Sequence, residues 1–282
     1  MQLAKYFRKN KKSILCELCP HGCNISNGNI GYCLARKNID GKLYAINYGK
    51  ISSIALDPIK KKPLYHFFPG KKILSIGSYG CNMKCLFCQN FEISQHIPNT
   101  KFIEPKEILD IAMSIENNIG IAFTYNEPTI SIEYILELAP LIKKNNLHNV
   151  MVSNGMINKK PLNDLLKYID AFNIDLKAFT NKFYKKHGGD LKTVMRNIKT
   201  IWKAKKHIEI TTLIIHGEND SEKEIINLAK WIAKISREIP LHLSRFFPTH
   251  KMKNNISTDI KHLHILATQA KKYLKNVYIG NI

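Results

Sequence analysis

No stretch of the 282 residues approaches the roughly 18 uncharged apolar positions that a membrane-crossing helix requires. The basic first dozen residues have no apolar run behind them, so no secretory leader is expected. A soluble, cytoplasmic protein with no membrane partner is the expectation. Arginine is scarce: of 43 Lys and Arg only Arg8, Arg36, Arg196, Arg237 and Arg245 are Arg, against 22 Asp and Glu, for a net charge of +21. That excess invites a nucleic-acid reading, yet bidentate phosphate recognition favours the planar Arg fork. Lysines scattered among Asn and Ile read as composition bias, and no nucleic-acid partner is expected. Internal repeats and low-complexity segments are also missing.

What is present is a core-forming chain, 44% hydrophobic, long enough for one large α/β unit and a small appendage. From residue 69 onward, short apolar runs at 72–77, 119–125, 149–153, 171–176, 207–215 and 241–246 alternate with segments of helical spacing. Pro105 and Pro161 suit first helical turns, and Ser221-x-x-Glu224 reads as a capping box. An apolar Val277-Tyr278-Ile279 adds a candidate late strand. Such alternation implies parallel strands, in an open doubly wound sheet or in a barrel. No G-x-G-x-x-G follows the first strand, which disfavours a dinucleotide-binding sheet. Polar residues instead collect at the carboxyl ends of the strands, where a barrel builds its active site. The expected fold is α/β: a partial (β/α)6 TIM-type barrel over residues 69–282, behind a Cys-rich segment and connector at 1–68. The stretch 57–63 reads as an extended lead-in.

Seven cysteines, an odd number, argue against a disulfide framework. They fall into a group of four and a group of three. Cys81-x3-Cys85-x2-Cys88 directly follows the first strand, so three thiolates can converge from one loop. Structural zinc wants four closed ligands, and an iron-sulfur cube usually takes four cysteines. Three leave one iron open to bind a substrate.

This loop, with aromatic Phe87 before its last cysteine, resembles the signature of the radical S-adenosylmethionine (radical SAM) enzymes. The resemblance implies that Cys81, Cys85 and Cys88 hold a [4Fe-4S] cluster whose open iron chelates S-adenosylmethionine. One electron then cleaves the sulfonium, and a 5'-deoxyadenosyl radical abstracts hydrogen from substrate. It also implies a low-potential donor, flavodoxin or ferredoxin, and a cofactor site that includes Phe87 and Gln89.

Further residues extend the resemblance. Tyr125-Asn126-Glu127 stands where the superfamily usually has Gly-Gly-Glu, and Glu127 keeps the carboxylate for the methionine ammonium. Asn154, in Ser153-Asn154-Gly155, suits a ribose or carboxylate, with Gly155 permitting close approach to backbone, although Asn-Gly is also a common turn. Asp175 and Lys177 place two charges in an otherwise apolar strand, which demands pairing or a polar cavity. Asp175-Leu176-Lys177 resembles an element of glycyl-radical-enzyme activases that lines the cofactor and peptide site. His242, on the sixth strand, is a candidate to approach the adenosyl group.

The group Cys16-x2-Cys19-x3-Cys23-x9-Cys33 has the count of a closed metal site, compatible with zinc or a second iron-sulfur cluster. The whole pattern resembles pyruvate formate-lyase activating enzyme-like proteins of the AmmeMemoRadiSam type. That implies radical chemistry on a protein or small-molecule substrate, with glycyl-radical-enzyme activation one such reaction. The alternatives are RNA or small-molecule modification by the same chemistry, and a non-catalytic iron-sulfur electron-transfer protein.

Overall fold

A computed structural model describes residues 1–282. Its centre is an eight-stranded sheet: β1 (Ser53–Pro58), β2 (Lys72–Gly77), β3 (Asn118–Phe123), β4 (His148–Ser153), β5 (Ala171–Asp175), β6 (His207–Ile214), β7 (Leu241–Arg245) and β8 (Val277–Gly280). The strands lie in sequence order, β2 to β8 all parallel and β1 antiparallel to β2. The first and last do not pair. Six strand and helix units plus a seventh parallel strand therefore make the expected partial barrel, and Val277–Gly280 is that late strand. The runs read from sequence coincide with β2 to β7 to within two residues because strands packed on both faces are almost uninterruptedly apolar.

The lead-in at 57–63 is not simply extended. Ser53–Pro58 extends the main sheet, which therefore begins before residue 69, and Ile59–Lys61 is one tight helical turn. The remaining N-terminal residues form two antiparallel sheets: Phe7–Asn10, Ser13–Cys16 and Asn24–Ser26 in one, Gln2–Leu3, Lys42–Ala45 and Arg36–Ile39 in the other.

The helices between strands bury one face. Pro105 opens Pro105–Ser114, where its missing N–H costs nothing. At Glu222–Ala233 the Ser221 hydroxyl accepts the Glu224 amide at 3.2 Å, as the capping box predicts. Glu224 does not complete the box; its carboxylate accepts the Phe179 amide at 2.6 Å and ties this helix to the loop after β5.

The connector 59–71 closes the amino end of the unclosed sheet. Phe67 and Phe68 pack on His148, the first residue of β4, and Phe67 also on His207, the first of β6. The amides of Tyr65 and His66 donate to the buried Glu209 carboxylate at 3.0 and 2.8 Å. Glu209 is also bonded by His207 at 2.9 Å and by His242 at 2.6 Å. Burial opposes its charge, but these bonds overcome it and hold the carboxyl at about 2. Glu209 thus joins the plug to β6 and β7.

A depressed carboxyl contributes stability that is complete above its ordinary value near 4.5 and lost as pH falls through about 2. Glu209→Gln should lower the thermal midpoint at pH 7, and the gap to wild type should shrink between pH 4.5 and 2. A pH-independent gap, measured by circular dichroism melts, would contradict this assignment.

Candidate radical and metal sites

The loop after β2 begins at the carboxyl end of the sheet. Asn82, Met83, Cys85 and Phe87 are buried there, while Gln89 is exposed at the outer end. Backbone bonds fix the loop from three sides: Lys84 N–H donates to the His187 carbonyl at 2.9 Å, Gln95 to the Cys85 carbonyl at 3.0 Å, and Lys251 N–H to the Leu86 carbonyl at 3.1 Å. Phe87 packs against Phe183 and edge-on to His187. His187, invisible to sequence reasoning, accepts the Leu86 amide at 3.4 Å, and burial drives its pKa down to about 4. Being neutral, it supports the loop without adding charge.

Burial pushes all three thiols up. Cys81 is raised well above 9, with Glu127 and Cys85 adding to the effect. Cys85 reaches about 12 although Lys177 pulls the other way. Lys177 ion-pairs with Asp175 at 3.0 Å and lies 5.7 Å from the Phe87 ring centroid. Burial disfavours its ammonium, but Asp175 and Cys85 outweigh that and hold its pKa above the ordinary value. Tyr184 pins the bend, accepting the Lys177 amide at 3.1 Å. The charges at the end of β5 and two residues beyond it are thus paired and also adjoin the cysteine loop.

Glu127 follows β3 and is almost fully engaged. Its Oε1 accepts from Thr129 N–H (3.0 Å), Thr129 Oγ1 (2.7 Å) and Ser153 Oγ (2.8 Å), and its Oε2 from the Asn154 amide (2.8 Å). Burial still raises its pKa. Each carboxylate oxygen carries two lone pairs, and Oε2 meets only one of these four donors, so Oε2 retains room for one more. Asn154 turns its amide to Asn82 (2.9 Å) and toward the Cys81 sulfur (3.7 Å). Asn126 accepts the Ser78 amide and donates to the Gly80 carbonyl, both at 3.0 Å, fixing the entry to the cysteine loop.

One expectation fails. His242 does not face this site: Glu209 draws it toward the connector, where it stacks on Tyr278 and meets Tyr65 edge-on. Gly155 makes its close approach to protein, because an added Cβ would stand 3.2 Å from Ile174 and 3.3 Å from Val194. Its φ of +72° is the other reason for glycine.

Cys16, Cys19, Cys23 and Cys33 line one small cavity with Arg36, His21, Tyr32 and Asn82. Arg36 is completely buried and makes a two-pronged pair with Glu133 at 2.8 and 2.9 Å. Glu133 also accepts the Lys5 amide, which locks the N-terminal segment to helix Ile132–Lys144. Burial raises Cys16 to about 11 and Cys19 to about 12, with the nearby Arg36 opposing the shift at Cys16.

Three buried or half-buried cysteines from one loop, with the Lys177 ammonium beside them, have the chemistry of a thiolate donor set that leaves one iron of a four-iron cluster without a protein ligand.

The profile of the radical SAM superfamily matches residues 75–229, more than half of the chain. The chain belongs to this superfamily. It is 38% identical to an uncharacterized protein of Methanocaldococcus jannaschii over 100% of this chain and 86% of that one. It is 27% identical to a putative glycyl-radical enzyme activating enzyme of the same organism, over 72% of this chain and 79% of the relative. The structure of Streptococcus suis SuiB bound to precursor peptide SuiA superposes with a TM-score of 0.56 at 20% identity, covering 72% of this chain and 46% of SuiB. Radical SAM membership makes the chain an enzyme of S-adenosylmethionine chemistry.

Breaking the Arg36–Glu133 pair leaves a buried charge uncompensated, at a cost of about 3–5 kcal/mol. Glu133→Ala should destabilise by that amount in denaturant melts, and Arg36→Met with Glu133→Leu should recover part of it. A surface-like loss below about 1 kcal/mol would refute the pair's structural role.

Proposed function

We propose that Cys81, Cys85 and Cys88 hold a [4Fe-4S] cluster with which this enzyme cleaves S-adenosylmethionine reductively and removes hydrogen from a protein substrate. The observation that carries this is one loop with three buried or half-buried cysteines at the carboxyl end of β2, bordered by Glu127, Asn154, Asp175 and Lys177. When bound, the cluster supplies the electron and an open iron for the methionine amino and carboxylate groups. The chain's own residues do the rest. Glu127 orients Asn154 and offers its spare Oε2 lone pair to the ammonium, while Lys177 balances the thiolates and, with Asp175, presents polar groups to the ligand. Phe87 excludes water on the inner side of the loop, and Gln89 borders it outside.

A protein substrate, such as a glycyl-radical enzyme, is favoured by the relative named as an activating enzyme and by the peptide bound to SuiB. A low-potential flavodoxin or ferredoxin is the proposed electron donor, in keeping with a cytoplasmic enzyme; no helix of the chain is long and apolar enough to cross a membrane. RNA modification gains nothing from the basic charge. All five arginines are engaged within the chain: Arg8 with Glu17, Arg36 with Glu133, and Arg196, Arg237 and Arg245 with the carbonyls of Ile157, Tyr273 and Thr258.

Anaerobically reconstituted, reduced protein should convert S-adenosylmethionine to 5'-deoxyadenosine and methionine, measured by chromatography, and Cys85→Ala should abolish this. Lys177→Ala and Asp175→Asn should each slow it by about a hundredfold to a thousandfold, the range for losing one preorganised electrostatic contact. Wild-type protein that carries its cluster and yields no 5'-deoxyadenosine with several reductants would overturn the proposal.

A further inference from the structure

Resting on the radical reading above, we propose that Asp57, clamped by Lys62, is a positioning residue: acting through Tyr125, it holds a strained turn and so sets Asn126 and Glu127 for S-adenosylmethionine. Tyr125 is the centre of a three-residue turn. The Asn126 amide donates to the Thr124 carbonyl at 3.0 Å, and Tyr125 between them has a φ of +71°. A turn closed in this way around a positive φ is the rare and strained γ form. In a bulky residue such backbone is an outlier that persists only where the surroundings over-determine it. The Gly-Gly-Glu motif usual in the superfamily puts glycine here, for which the same backbone is cheap. This chain needs something else to hold the turn.

Three contacts do so. The Tyr125 carbonyl accepts the Asn90 side-chain amide at 2.7 Å, which joins the turn to the exit of the cysteine loop, two residues after Cys88. The Tyr125 side chain then passes over β2 at Gly77, where an added Cβ would stand 3.0 Å from Tyr125 Cβ and Cδ2. Glycine at 77 leaves it room. Beyond β2 the phenol donates to Asp57 Oδ2 on β1 at 2.7 Å. Asp57 pairs with Ile73, four residues before Gly77, so Asp57 and Gly77 stand on one face of the sheet. The buried Lys62 donates to the same Oδ2 at 2.7 Å, and its ammonium lies 4.7 Å from the Tyr125 ring centroid. Burial would raise the Asp57 carboxyl, but the bonds from Lys62 and Tyr125 hold it at about 2, while burial and Asp57 push the phenol up to about 12. Phenol and carboxylate therefore keep their donor and acceptor roles at any working pH. Directly after the turn, Asn126 bonds Ser78 and Gly80 at the entry to the cysteine loop, and Glu127 bonds Asn154 beside Cys81. What fixes the turn fixes both.

The test compares full-length Tyr125→Phe, Tyr125→Ala and Tyr125→Gly with wild type. Phe keeps the ring and the strained backbone but loses the bond to Asp57. With the loop cluster reconstituted and reduced, it should raise the S-adenosylmethionine Kd, read from the shift of the paramagnetic resonance signal, by about tenfold, the scale of one hydrogen bond to a charged group. KM should rise in parallel and kcat stay within about threefold. Ala loses the bond and keeps the strain, so it should bind no better than Phe. Gly removes the strain itself and should recover an affinity within about threefold of wild type. In the metal-free proteins, amide hydrogen exchange over residues 120–130 should be faster in Phe and Ala than in wild type. A side chain that merely packs would rank the variants by volume removed, with Gly the weakest binder, and that order would overturn the lock. So would a Phe variant with wild-type Kd and exchange. Wild type that carries its cluster but neither shifts its signal with S-adenosylmethionine nor forms 5'-deoxyadenosine would sink the radical reading; faster exchange in metal-free Phe would then still support the lock on the turn, and unchanged exchange would remove it too.

Discussion

A parallel sheet of seven strands whose first and last do not pair leaves both ends and one side of its interior exposed, and the rest of the chain answers that constraint. At the amino end the connector 59–71 lays Tyr65, His66, Phe67 and Phe68 across the opening, held by the Glu209 carboxylate and by ring contacts with His148 and His207. At the carboxyl end the Cys-rich segment lies over the first three strand-to-helix connections. Asn47 donates to Ser131, Cys33 packs on Gly80, and Asn158 N–H donates to the Leu18 carbonyl. One end is sealed for stability. The other is covered by the segment that carries Cys16, Cys19, Cys23 and Cys33, and the cysteine loop lies beneath it.

The fold was largely legible because strands covered on both faces carry little but apolar residues, and β2 to β7 announce themselves that way. The N-terminal sheets were not legible. Strands such as Lys42–Ala45 and Ser13–Cys16 are four residues long and alternate over too few positions to stand out from turns rich in Gly and Asn. Within the site, Cys81, Cys85 and Cys88 were readable from spacing, and Asp175 with Lys177 from charge inside an apolar strand. The same rule applied to β6 would have found Glu209, a lone acid among Ile and Thr. His242 misled because position on a strand tells which face a side chain takes but not which neighbour claims it. His187 carried no signal, since its importance comes from tertiary packing on Phe87.

Buried charge in this protein is arranged in small compensated units. Arg36 with Glu133, Lys177 with Asp175 and Lys62 with Asp57 each place a cation against a carboxylate at 3.0 Å or less. Such pairs add little net stability over apolar replacements, though losing one partner is expensive. Their positions therefore say more than their energies. Lys62 secures the connector, with Tyr125 bonded to the same Asp57. Arg36 and Lys177 instead stand beside thiols, where each can balance more than its own carboxylate.

That placement bears on how two groups of thiols can share one small region. Ionised thiols are anionic, and burial magnifies the repulsion among them. Lys84 stands within electrostatic reach of Cys81, Cys33 and Cys88. Burial lowers its pKa, and nearby thiolates counter that shift, so ionising these cysteines favours the ammonium. Arg36 acts on the N-terminal cysteines, Lys177 on Cys85, and Lys84 lies within reach of both groups, so each group of thiols has a cation beside it. Such placement lowers the cost of ionising a buried thiol. The large surface excess of lysine is unnecessary for this; three buried or half-buried cations, each fixed by a carboxylate, an aromatic ring or both, are sufficient.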